Sequence, residues 1–69
     1  MKLVMKSAYG GKTIEYPINN LEDLAEFLQE FPSATHAAVS LGKGNLEQMA
    51  TLAAKYLSSH HMDVKLVKD

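Results

Sequence analysis

A displacement of twenty-five residues lays much of this chain over itself. Asn20-Leu21-Glu22 falls on Asn45-Leu46-Glu47, while Ala25, Ser33, His36, Val39 and Leu41 fall on Ala50, Ser58, His61, Val64 and Leu66. Leu24/Met49, Phe27/Leu52 and Phe31/Tyr56 are apolar matches in the same register. An internal repeat constrains topology more than any single motif, because each copy is one supersecondary unit that cannot bury its apolar face alone. Each copy reads as a helix followed by a strand. They join at Ala37-Ala38-Val39-Ser40-Leu41 and the Gly42-Lys43-Gly44-Asn45 loop.

Ahead of the repeat, Leu3, Met5 and Ser7 alternate with Lys2, Val4 and Lys6, the period-two pattern of a half-buried strand. Tyr9-Gly10-Gly11-Lys12 reads as a tight hairpin, since paired glycines tolerate positive φ. Ile14, Tyr16 and Ile18 alternate with Thr13, Glu15 and Pro17 on the return strand. Pro17 cannot donate a ladder bond, so that end lies at an edge or leaves the sheet. Asn20 caps the first helix, whose apolar stripe is Leu21, Leu24, Ala25, Phe27, Leu28 and Phe31; Pro32 stops it. Ala37, Val39 and Leu41 form the buried side of a third strand, opposite His36, Ala38 and Ser40. On that register Val39→Asp buries an unpaired charge and abolishes folding. Asn45 opens the second helix with Gln48 at the capping-box position, and Met62, Val64 and Leu66 face inward on the last strand.

The expected order is β-β-α-β-α-β: an α/β chain in a single domain, 1–69, resembling a two-layer sandwich. Its four-stranded mixed sheet carries two helices on one face. Successive right-handed crossovers make the last three strands parallel, and the first adds antiparallel through its hairpin. The hairpin and first helix also resemble the opening of the β-grasp fold, but a second full-length helix in repeat register argues against that architecture.

Composition narrows the function classes. A core built from 69 residues rarely supplies more than about 3–5 kcal/mol, and with no cysteine there is no disulfide to add to it. Self-association into a homodimer is a natural remedy. The first residues lack the long apolar run of a signal peptide, lysine interrupting them at once, and no stretch approaches a membrane span, so a cytoplasmic protein is expected. Net charge is −1 and every basic residue is lysine. The missing arginine fork argues against a nucleic-acid partner, as do tyrosines at a turn, in the core and on a helix with none set out for stacking.

The glycine loop is the one candidate for ligand chemistry. Gly42, Lys43, Gly44 and Asn45 lie, on this topology, between a parallel strand and a helix N-terminus, where backbone N–H groups and the dipole favour a phosphate or carboxylate. Neither the Walker spacing nor the dinucleotide fingerprint is present, and a plain capped turn accounts for the residues better than anion binding does. His60 and His61 diverge too far to share a metal, so no metal site and no cofactor are expected. His36 and Ser40 sit about 13 Å apart on an extended strand, too far to pair, and no catalytic residues are assigned. The expectation is a non-enzymatic interaction or regulatory module that meets a protein partner, or itself, through the uncovered sheet face or an edge strand. On that face the sequence places Val4, Lys6, His36, Ala38, Ser40, Lys65 and Val67.

Overall fold

The computed structural model describes residues 1–7 and 11–68. Six elements follow one another: β1 (Lys2–Lys6), β2 (Thr13–Pro17), α1 (Leu21–Glu30), α2 (Pro32–Gly42), α3 (Leu46–Ser59) and β3 (Asp63–Val67). The three strands form one sheet in the order β2-β1-β3, and both pairings are antiparallel. The fold is therefore α+β. The expected four-stranded mixed sheet with two helices gives way to three strands and three helices, and no pair of described strands runs parallel.

The hairpin strands pair as their alternation requires, Leu3 opposite Tyr16 and Met5 opposite Ile14. Tyr9 and Gly10 of the expected turn lie outside the described residues; Gly11 has φ of 67°. Both helix starts of the repeat also behave alike. Asn20 Oδ1 accepts from the Asp23 N–H at 2.9 Å, and Asn45 Oδ1 accepts from the Gln48 N–H at 2.9 Å. Each side chain satisfies one of the orphan donors of its first turn.

The two copies part after the first helix. Residues 37–41, expected as a strand, are the C-terminal half of α2. Pro32 does end α1, but it also begins α2, where its missing N–H costs nothing and its fixed φ suits the first turn. Three alanines among the next six residues favour helix, and Ala34, Ala38 and Gly42 recur at four-residue spacing as a stripe of small side chains. That stripe lets α2 lie close on α3. A Cβ built on Gly42 would come within 2.2 Å of Met49 Cγ, so the approach requires glycine. Burial is the reverse of the strand expectation: Ala38 is wholly buried, whereas Val39 is 56% and Leu41 63% exposed. The expected collapse of a Val39→Asp variant goes with it.

α1 lies against β2, α3 against β3, and α2 against α3. Leu3, Ile18, Leu24, Phe27 and Leu57 are the largest side chains wholly enclosed between sheet and helices. Phe27 meets the Tyr16 ring edge-on at 4.9 Å and Phe31 at 4.9 Å, which ties α1 to the return strand. Among the described residues no helix is long and apolar enough to cross a membrane.

Candidate functional site

The backbone of the sheet decides which groups face outward. Ile18 N–H donates to the Met1 carbonyl at 2.9 Å and Ser7 N–H to the Lys12 carbonyl at 2.7 Å. Even-numbered residues of β2 thus turn their N–H and C=O toward β1, and odd-numbered residues of β1 turn theirs toward β2. The remaining groups follow by alternation. Thr13, Glu15 and Pro17 point away from the sheet along one edge, and Val64 and Leu66 do so along the other. Pro17 therefore removes no ladder bond, because its missing donor would have faced outward.

The β3 edge is partly closed. The Ser58 hydroxyl on α3 donates to the Val64 carbonyl at 2.8 Å, and Val64 itself is 3% exposed. Glu47 of α3 reaches over to Lys68 just past the strand. Along β2, Ile14 is 44% exposed on the helix-facing side, and no described residue hydrogen-bonds the outward groups of Thr13 and Glu15.

Side chains on the helix-facing side of β2 are polarised by position. Tyr16, Pro17, Asp23, Glu26, Phe27 and Glu30 line one shallow cleft, so three carboxylates of α1 stand over the Tyr16 end of the edge. Burial first, then the nearby Glu30 carboxylate through hydrogen bonding and charge, raise the Tyr16 pKa above the usual 10.0. The opposite end carries Lys12, which is exposed. On the sheet's other face, Val4 lies between Glu15 and Lys65, and Lys6 between Thr13 and Asp63. Lys2 Nζ meets Glu15 Oε1 at 2.6 Å there, an exposed pair of small energetic weight.

The residues expected on the open face divide accordingly. Val4, Lys6, Lys65 and Val67 share it. His36, Ala38 and Ser40 do not, because α2 carries them: Ala38 is buried and the other two are exposed on the helix. The helix also brings His36 Nδ1 within 3.4 Å of Ser40 Oγ, a pairing that an extended strand forbids. Gly42, Lys43, Gly44 and Asn45 form a helix-to-helix corner, not the outlet of a parallel strand. Lys43 and Gly44 both take left-handed conformations there, with φ of 50° and 79°. Asn45 N–H returns to the Gly42 carbonyl at 3.0 Å.

His60 stacks on Tyr56 with ring centres 4.3 Å apart, and His61 has φ of 68°. Met62 N–H closes onto the Leu57 carbonyl at 3.1 Å, so His61 occupies the left-handed position that usually falls to glycine after a helix. Among the described residues no three His, Asp or Glu side chains converge as metal ligands.

Two features escaped the sequence reading. One is an apolar groove of about 540 Å³ among α1, α2 and α3, lined by Leu21, Leu24, Leu28, Val39 and Met49. The other is the exposure of Ile14 beside the acidic overhang of α1. Pro17 is the only sequence signal that pointed to this edge. Comparison with family models, with curated proteins and with solved structures gave no match.

Proposed function

We propose that the chain is a small non-enzymatic interaction module that works through its sheet, taking the backbone of a partner strand along β2. The observation that carries this reading is the outward row of backbone groups at Thr13 and Glu15 next to a half-exposed Ile14. An added strand gains main-chain hydrogen bonds from such an edge, and side chains at alternate positions supply selectivity. Natural sheets commonly blunt their edges with proline, charge or a covering helix. The β3 edge uses Ser58 in this way, whereas on β2 the proline stands only at the last residue. On the open face Val4 and Lys6 of β1 stand next to β2, with Lys65 and Val67 beyond them on β3. Glu15 and Asp63 share that face, and such mixed charge favours selectivity and encounter over tight binding.

The test is selection of peptides from a random display library against the folded protein, followed by amide shift mapping. Extended binders that move the Thr13 and Glu15 amides are expected. Failure to recover any binder, or recovery only of binders that move the α1–α2 groove, overturns the sheet as the working surface.

A further inference from the structure

Resting on that reading, we infer that the strand taken by β2 is the β2 strand of a second copy, in a two-fold antiparallel pair centred on Ile14. The register follows from which groups face outward. With Ile14 opposite its own copy, Thr13 of each protomer stands opposite Glu15 of the other, and both are outward-facing residues. Each such pair exchanges two main-chain hydrogen bonds, giving two reciprocal sets about the axis. The next even register centres on Glu15. It would set two like charges opposite each other and place Thr13 against Pro17, which has no donor.

Three side-chain observations select the same register. Ile14 is 44% exposed on the helix-facing side, and in a non-hydrogen-bonded pair its side chain lies close against its mate. Thr13 opposite Glu15 is a hydroxyl facing a carboxylate on the other side of the sheet. Lys12 of one copy lies opposite Tyr16 of the other, on the side where Asp23, Glu26 and Glu30 line the cleft around that ring. The exposed lysine at one end of the strand thus meets the acidic end of its neighbour, twice, by symmetry. The result is a continuous six-stranded sheet with all helices on one side.

Sedimentation of the full chain from micromolar to millimolar concentration tests the pairing, with four variants. Glu15→Pro removes an outward N–H without touching the β1–β2 ladder, and Lys12→Glu and Glu30→Lys each set like charges against one another across the axis. The double variant Lys12→Glu/Glu30→Lys restores opposite charge. A reversible monomer–dimer equilibrium is expected, weakened at least tenfold by each single variant and recovered by the double one. Circular dichroism of each variant establishes that it is folded. A chain that stays monomeric throughout overturns the self-pairing and leaves the module reading to the peptide selection. A dimer indifferent to all four variants overturns the β2 route while leaving self-association in place.

Discussion

β2 and β3 flank the same central strand, yet they close the sheet in opposite ways. β3 has α3 against it, Val64 nearly enclosed, and a serine hydroxyl on its outward carbonyl. β2 has α1 over its Tyr16 end, Ile14 stands 44% exposed, and the outward groups of Thr13 and Glu15 have no hydrogen-bond partner among the described residues. The two edges show that a sheet too small to close on itself can be finished on one side by its own helix. The other side has no such cover among the described residues.

The contrast is broken most sharply by placing one charge at equivalent positions. Val64→Asp puts a carboxylate into the packed space under α3 and is expected to cost more than about 4 kcal/mol, which unfolds a domain of this size. Ile14→Asp, measured at dilution, is expected to cost about 1 kcal/mol or less. Urea denaturation of both variants checks the pair, and equal losses would mean that β2 is as enclosed as β3. A smaller effect belongs to Ser58→Ala. Loss of its hydroxyl is expected to destabilise by about 1 kcal/mol and to expose the Val64 carbonyl, so that β3 comes to resemble β2. Concentration-dependent association appearing through β3 in that variant is the readout.

The smallest difference is one of pH. Tyr16 has its pKa raised in the folded chain, so the native state holds the phenolic proton after the unfolded chain has begun to lose it. That contribution is complete below pH 10 and declines as pH climbs from there through the folded value. Tyr16→Phe should flatten this alkaline limb in a pH series of melting temperatures. An unchanged slope would mean that Tyr16 does not hold its proton more tightly in the folded chain.

The strands at the two ends of the chain were legible because one side of each is buried. Alternation along Leu3-Val4-Met5 and along Met62 to Leu66 has a single consistent reading, and the fold keeps it. The helix starts were legible for another reason, since the Asn20 and Asn45 side chains each accept from the N–H three residues on that the first turn leaves without a partner. The middle was not. Ala37, Val39 and Leu41 satisfy a period of two, while Ala34, Ala38 and Gly42 satisfy a period near four, and a short apolar run does not choose between them. What chose was packing: Ala34 and Ala38 of α2 are buried in one core with Ala50 and Ala53 of α3, and Gly42 lies against Met49, an approach visible only once both helices exist. From that one misread segment came the fourth strand, the parallel pairing and the placement of His36, Ala38 and Ser40. The open face survived in part because its remaining members lie on the end strands. The polarity of the β2 edge, lysine at one end and α1 carboxylates at the other, depends on how α1 crosses the strand and has no local signature.

Phe31 is the single residue between α1 and α2, the C-terminal cap of one helix and the N-terminal cap of the other, and its ring joins Phe27 and Tyr16. Three obligations fall on one position, so a change there alters the joint, the aromatic floor beneath β2 and the tilt of α2 together. Its effects will not add to those of neighbours in contact with it. Outward-facing Val39 and Leu41 carry no such obligation, and sequence drift in this chain has far more room there than at the hinge that precedes them.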